Sequence, residues 1–241
     1  MDGWFIQAAR SGVAHTIYKI KRKEIDMIKK IAFTLWMALS ACAFAATPMD
    51  DAVAELQREW EVVRYQVPAA DKLARWEALA SKAHKVSAQY PSQSEPLIWE
   101  GIIVSTWAGD KGGLGALGLV KDAKKMYEKA IEMNPQALDG SAYNSLGVLY
   151  FKVPGWPVGF GDKDKAKTLL EKALQINPQG IDPNFFYAEY LIETKQPQAA
   201  LTYLEKALNA PARAGRQIAD AGRKEEVIAL MKKTKQAIAN Q

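Results

Sequence analysis

Apolar residues recur at the three- and four-residue spacing of a single helix face in three segments of the chain. The segments read DAKKMYEKAIEMNP at 122–135, KAKTLLEKALQINP at 165–178 and AALTYLEKALNAP at 199–211. Lys, Glu, Ala and Leu favour helices and dominate all three, and no Gly or Pro precedes the closing Pro. The pattern predicts three amphipathic helices, each with a narrow inward stripe of alanines around one larger residue. These stripes are Ala123, Tyr127 and Ala130; Ala166, Leu170 and Ala173; and Ala200, Leu204 and Ala207.

Each of these helices is preceded by a segment that carries large apolar residues around one small residue. The segments are LIWEGIIVSTW at 97–107 with Gly101, SAYNSLGVLYF at 141–151 with Gly147, and NFFYAEYL at 184–191 with Ala188. A small residue lets two helix backbones approach closely. Each segment is therefore predicted to be the first helix of a helix-turn-helix pair.

The paired pattern resembles the tetratricopeptide repeat (TPR), in which Leu-Gly/Ala and Tyr mark the first helix and the alanine stripe marks the second. Three repeats are expected at 94–137, 140–180 and 181–214, and only the last has the 34-residue length of the family. The resemblance implies an all-α fold, a TPR-type helix-turn-helix solenoid (α-α superhelix) with capping helices at both ends.

The flanking segments supply the predicted caps. Residues 46–93 carry two apolar stripes at helical spacing and are expected to form a helical pair or a degenerate repeat. At the other end, residues 215–241 are expected to form a C-terminal capping helix, with Gly215 and Gly222 as breaks and residues 224–239 as the amphipathic part. The N-terminal stripes are Val53, Leu56, Trp60 and Val63, then Leu73, Trp76, Ala80 and Ala83.

Two insertions lengthen the first two repeats between their helices. They read AGDKGGLGALGL at 108–119 and KVPGWPVGFGD at 152–162. Equivalent turns of stacked repeats lie on one edge, so the insertions are expected to be neighbours. The second is stiffened by two prolines and carries Trp156 and Phe160, which are expected to form an exposed aromatic lip. Asp162 is expected to cap the helix that follows.

The concave surface is the candidate binding site, because the first helices line it in TPR proteins. Only Asn144 fits the Lys, Arg and Asn clamp with which some TPR domains hold chaperone tails, so such a clamp is not predicted. The mostly apolar surface suits an amphipathic helix of a protein partner or a small apolar ligand. Helical phase assigns Ile98, Ile102 and Ser105, then Asn144, Val148 and Phe151, then Phe185, Glu189 and Ile192 to this groove, with Trp156 and Phe160 beside it.

The N-terminal region has the pattern of an export signal. From Met27 a basic MIKK precedes the apolar IAFTLWMALSACAFA, which predicts a signal peptide at 27–45 and makes residues 1–26 an over-extended, unstructured start. The alternative for residues 1–26 is a cytoplasmic extension before a membrane anchor. Two processing routes stay open. Ala43-Phe44-Ala45 directs cleavage before Ala46, whereas Leu39-Ser40-Ala41-Cys42 resembles a lipobox that would lipidate Cys42. Both routes predict a periplasmic protein, soluble or lipid-anchored.

Charge and motifs argue against nucleic-acid binding, catalysis and cofactors. Of 32 Lys and Arg and 27 Asp and Glu, residues 1–45 hold seven and three, so the remainder carries 25 and 24 and is nearly neutral. The G-x-G-x-x-G at 113–118 follows a predicted helix rather than a strand, which is the wrong context for a dinucleotide fingerprint. His84 has no Cys or His partner for a metal, and no acid–base pair stands out.

The sequence therefore predicts an exported TPR protein that binds or scaffolds and is not an enzyme, with a protein or peptide helix as partner. Its architecture and export are also similar to the periplasmic T-component (TatT-like) proteins of TRAP transporters. That resemblance implies a small apolar ligand and pairing with a solute-binding protein.

Overall fold

The computed structural model describes residues 47–240 and, before them, Arg22 and Met27 alone. The expected start, signal peptide and lipidation site at Cys42 lie outside the described residues. Within 47–240 the secondary structure is helical, and no described helix is long and apolar enough to cross a membrane. The helices are α1 Pro48–Tyr65, α2 Ala69–Gln89, α3 Ser94–Lys111, α4 Leu117–Met133, α5 Ala137–Lys152, α6 Lys163–Ile176, α7 Ile181–Glu193, α8 Pro197–Leu208 and α9 Gln217–Ala239.

The helices pack as consecutive antiparallel pairs, and the alanine stripes are the seams between them. Tyr127, Leu170 and Leu204 are fully buried, as are the alanines that flank them. The small residues predicted in the first helices face these large ones. A Cβ on Gly101 would lie 2.7 Å from Tyr127 Cε1, and one on Gly147 would lie 2.8 Å from Leu170 Cγ. The solenoid of helix pairs predicted from the stripes is confirmed.

The first insertion is shorter than predicted, because helix α3 continues through Lys111. Asp110 stays in this helix and its carboxylate accepts a 2.7 Å hydrogen bond from Trp76 Nε1. Only then do Gly112 and Gly113, with φ of 62° and 61°, turn the chain. A short 3-10 turn, Leu114–Ala116, leads directly into α4. Most of the glycine-rich segment is therefore part of the two helices it joins.

The second insertion folds back on the end of α5. The N–H of Gly161 donates to Pro154 O at 2.9 Å, and the N–H of Asp162 donates to Tyr150 O at 2.8 Å. Phe160 packs edge-on against Tyr150, with ring centroids 5.5 Å apart. Asp162 caps α6 as predicted, since its Oδ1 accepts from the N–H groups of Asp164 and Lys165 at 3.0 Å.

The predicted helix break at Gly222 is wrong. Gly215, with φ of 71°, lies in the turn before α9, but the helix then runs through Gly222 without interruption. Gly222 is needed for another reason: a Cβ there would collide with the ring of Tyr65 in α1. Helix α9 packs on α8, as a cap should, and also on α1 and α7. Within residues 47–240, the last helix therefore reaches the first.

Candidate functional site

The concave face of the helix pairs borders a partly open cavity of about 1120 Å³, called here the concave cavity. Its wall comes from α1, from the first helices of the three repeats, α3, α5 and α7, and from Leu117, Val120 and Tyr127 of α4. The opposite wall comes from α9 and the turn before it. The residues that α9 and this turn contribute are Arg213, Arg216, Arg223, Glu226, Ala229, Leu230 and Lys233. The second helices α6 and α8 contribute nothing to the lining.

Most of the groove residues assigned by helical phase do line this cavity. They are Ile102, Ser105, Asn144, Val148, Phe185 and Glu189. Ile98, Phe151 and Ile192 are not among the lining residues. Ile98 is fully buried in the core, and Phe151 packs edge-on against Tyr190 of α7 with ring centroids 6.0 Å apart. The first helix of an inner repeat contacts neighbours on both sides, so helical phase alone does not separate groove positions from inter-repeat positions.

The aromatic residues of the second insertion lie outside the lining. Phe160 is held against Tyr150, and the side chain of Trp156 is 89% exposed. The placement of both residues as a lip of the groove is therefore corrected. The insertions do border the same cavity, as their predicted proximity required. They contribute Gly112, Gly113, Ala116 and Leu117 from the first and Val153 and Pro154 from the second.

Two tryptophans and an arginine form one part of the wall, called here the aromatic corner (Trp60, Trp99 and Arg216). The ring centroids of Trp60 and Trp99 are 6.0 Å apart in an edge-to-face arrangement. The guanidinium carbon of Arg216 lies 5.0 Å from the Trp99 ring and 6.0 Å from the Trp60 ring. These distances are within the range of cation–π attraction. Both tryptophans are also part of the buried core, and no local pattern marks Arg216, which lies in a turn.

An ionic network holds α9 and its preceding turn to α7 and α1. Asp182 of α7 accepts from Arg213 Nη1 at 2.7 Å and from Arg223 Nε at 2.9 Å. Arg64 of α1 donates to Glu226 of α9 at 2.8 Å. Three further contacts complete the network: Arg213 with Asp220 at 2.7 Å, Arg223 with Glu226 at 2.6 Å, and Arg216 with Glu61 at 3.5 Å.

Asp182 is the centre of this network. Burial opposes its ionisation, but the guanidinium groups of Arg223 and Arg213 outweigh burial and lower the pKa of the carboxyl to about 2. The same burial, together with Arg213, lowers the pKa of Arg216. The sequence predicted a mostly apolar groove. The arginines of the C-terminal region were missed because they reach the cavity only through the packing of α9.

The part of the wall that α3, α4 and α5 form contains hydroxyl and amide groups. The phenol of Tyr127 shares a 2.8 Å hydrogen bond with Ser105, and burial raises the pKa of this phenol well above its usual value. Asn144 is 6% exposed and its Oδ1 has no hydrogen-bond partner in the described part of the chain. The cavity thus combines an apolar part, which includes Ile102, Val148 and Phe185, with the charged groups of the ionic network and with buried hydroxyl and amide groups.

Comparison with known proteins supports the repeat assignment. Family profiles described as tetratricopeptide repeat match residues 158–224 and 114–137. No curated protein matches the chain significantly.

Among solved structures, the chain is similar to a thermophilic TPR protein of Thermus thermophilus, at 20% identity over 67% of this chain and 82% of that one, with a TM-score of 0.47. It is also similar to yeast Tom70, at 16% identity over 85% of this chain and 46% of that one, with a TM-score of 0.47. Pseudomonas aeruginosa pilF matches at 13% identity over 76% and 90% of the two chains, with a TM-score of 0.32.

Proposed function

We propose that this tetratricopeptide-repeat solenoid is an exported binding protein whose concave cavity holds a small, partly apolar ligand. The TPR fold is that of a protein-interaction scaffold rather than of an enzyme. The observation that carries the proposal is the closure of the concave face by α9. It narrows the groove to a partly open cavity of about 1120 Å³, large enough for a small organic molecule.

The closure also weakens the case for a partner helix in the groove. Residues Ala229, Leu230 and Lys233 of α9 line the same space that such a helix would enter. Helix α9 is held there by the ion pairs of Asp182 and Arg64. A partner helix would have to break these contacts before it could bind.

Filling the cavity tests this function. Tryptophan in place of Val148, a half-buried lining residue of α5, is expected to reduce the affinity for the uncharged dye N-phenylnaphthylamine by about tenfold or more. The added ring occupies ligand space, and Val148 itself makes none of the ion pairs of the network. Isothermal titration calorimetry measures the affinity, and thermal unfolding verifies that the variant is folded.

Two variants control for this substitution. Lys172→Trp adds the same ring on the exposed side of α6, and Trp156→Ala removes an exposed ring outside the lining. Both should bind the dye like the unaltered protein. Equal dye affinity in Val148→Trp and the unaltered protein would exclude the concave cavity as the ligand site.

A protein partner at the insertions is the second candidate function. The observation that favours it is the exposure of large apolar side chains on both insertions, 79% for Leu114 and 89% for Trp156. In a T-component-like protein, the partner would be a solute-binding protein. A photo-crosslinking amino acid at position 156 is expected to give a discrete adduct in cells, and one at position 172 should not. The same adducts from both positions would contradict a docking edge.

We also propose a periplasmic location, supported by the signal-peptide pattern at 27–45. The mature chain is expected to begin at Ala46, or at a lipidated Cys42, when the protein is produced in a Gram-negative host. Intact-mass measurement distinguishes the two, and Cys42→Ala should abolish only the lipidated form. A mature chain that retains residues 1–26 would contradict the proposed export.

A further inference from the structure

Three polar atoms in the lining of the concave cavity lack a hydrogen-bond partner within the described residues. They are Trp99 Nε1, Arg216 Nε and Asn144 Oδ1. Trp99 is 5% exposed and Asn144 is 6% exposed. More than nine in ten buried polar groups in folded proteins are paired, because an unpaired one has lost its hydrogen bonds to water without replacement. Three unpaired atoms in one cavity therefore indicate a site shaped for something other than the chain itself.

Among the described residues, two further buried side-chain atoms, Tyr65 Oη and Asn184 Oδ1, lack a partner, and they lie outside the lining. The contrast lies in the tryptophan indoles. Trp60 Nε1 donates to Thr106 Oγ1 at 3.0 Å, and Trp76 Nε1 donates to Asp110. Of these three indoles, only that of Trp99 faces the cavity without an acceptor.

The cations of the lining show the same contrast. Arg213 and Arg223 each contact a carboxylate oxygen at less than 3 Å, whereas Arg216 is 3.5 Å from Glu61 and makes no hydrogen bond to it. The second oxygen of Glu61 already accepts from the N–H of Ala219 at 2.7 Å. Arg216 is thus a largely buried cation with incomplete compensation.

We propose that the aromatic corner binds the anionic head group, a carboxylate or a similar oxyanion, of an amphiphilic organic ligand. Arg216 and Trp99 Nε1 donate to the oxyanion, because a buried guanidinium and an indole N–H are both obligatory donors. The apolar part of the ligand lies along Ile102, Val148 and Phe185, which line the same cavity. Asn144 Oδ1 adds an acceptor for a polar hydrogen of the ligand. This inference rests on the proposed ligand-binding function and specifies its ligand class.

A pair of dyes that differ by one sulfonate group tests the head-group site (Arg216 and Trp99 Nε1). Anilinonaphthalene sulfonate is anionic, and N-phenylnaphthylamine is its uncharged parent. The unaltered protein is expected to bind the anionic dye about tenfold more tightly than the uncharged one. Arg216→Gln should remove most of this preference and leave the affinity for the uncharged dye within about twofold.

Trp99→Phe provides a second test that does not change charge. It removes the unpaired N–H and keeps a ring, so the fold should be retained while the affinity for the anionic dye falls about threefold to tenfold. Lys172→Gln, which removes an exposed cation outside the cavity, should bind both dyes normally. If Arg216→Gln does not fold, the affinity of Trp99→Phe for the anionic dye tests the head-group site on its own.

The outcomes separate the two proposals. Equal affinity of the unaltered protein for both dyes, with both lost in Val148→Trp, would overturn the head-group site and leave the ligand cavity standing. An anion preference that survives in both Arg216→Gln and Trp99→Phe would also overturn the head-group site. Dye binding that Val148→Trp does not change would overturn the cavity itself.

Discussion

Leucine in place of Gly147 is expected to lower the free energy of unfolding by about 3 kcal/mol, the upper part of the usual range for overpacking. Even the first added atom has no room, because a Cβ at this position would lie 2.8 Å from Leu170 Cγ and 3.2 Å from the backbone nitrogen of Leu170. Leu170 is fully buried, so its side chain has no free space into which it could move. The α5–α6 pair would have to separate.

Urea unfolding followed by circular dichroism measures this loss, and Gly118→Leu is the matched control. Gly118 lies in the first turn of α4, where a Cβ would have nothing within 4 Å of it. Leucine there should leave the unfolding midpoint unchanged or raise it slightly, because glycine is a poor helix former. An unchanged midpoint in Gly147→Leu would mean that α5 and α6 do not make this close contact.

Replacement of Asp182 by asparagine is expected to destabilise the protein by roughly 2–3 kcal/mol, because it leaves Arg213 and Arg223 without their shared carboxylate. This loss is smaller than that for a fully buried pair, since the Asp182 side chain is 29% exposed. Each arginine also keeps a second partner, Asp220 or Glu226. Most of the lost stability should come from weaker binding of α9 to α7.

The same carboxylate predicts how stability changes with pH. The pKa of Asp182 is about 2 in the folded protein, below the ordinary value of 3.8, so the folded state takes up this proton less readily than the unfolded state. Its contribution, roughly 2 kcal/mol, is therefore fully present above about pH 4 and is lost as the pH falls toward 2.

Denaturant unfolding at a series of pH values tests both effects. The difference in stability between the unaltered protein and Asp182→Asn should shrink as the pH falls from about 4 to about 2. Asp122→Asn is the control, because Asp122 forms an exposed pair with Lys125 at 3.3 Å, and such pairs contribute about 0–1 kcal/mol. Equal stability of Asp182→Asn and Asp122→Asn at neutral pH would contradict the role assigned to the network.

The parts of the fold that depend on local spacing could be predicted from the sequence. The alanine stripes and the glycines opposite them fix which helices pair, because the stripe is the buried face of each second helix. Asp162 was identified as a cap for the same reason, since capping is decided within three residues. These features need no knowledge of distant parts of the chain.

The rest of the site depends on contacts between distant segments. Helix α9 meets α1 through Gly222 and Tyr65, which are 157 residues apart in the chain. The local sequence predicts a helix break at Gly222. A glycine that ends a helix and a glycine that lets two helices approach closely cannot be told apart from the neighbouring residues alone. Arg216 and Trp99 are brought together by this packing of distant segments, so no sequence motif predicts the aromatic corner.

The indole N–H signals of the protein in nuclear magnetic resonance spectra test the central claim most directly. Trp60 and Trp99 line the concave cavity, whereas Trp76, Trp107 and Trp156 do not. Each signal can be assigned from the corresponding Trp→Phe variant. Titration with N-phenylnaphthylamine is predicted to shift the signals of Trp99 and Trp60 and to leave that of the exposed Trp156 in place. A shift of Trp156 without any change at Trp99 would place the ligand on the insertions and contradict a binding site in the concave cavity.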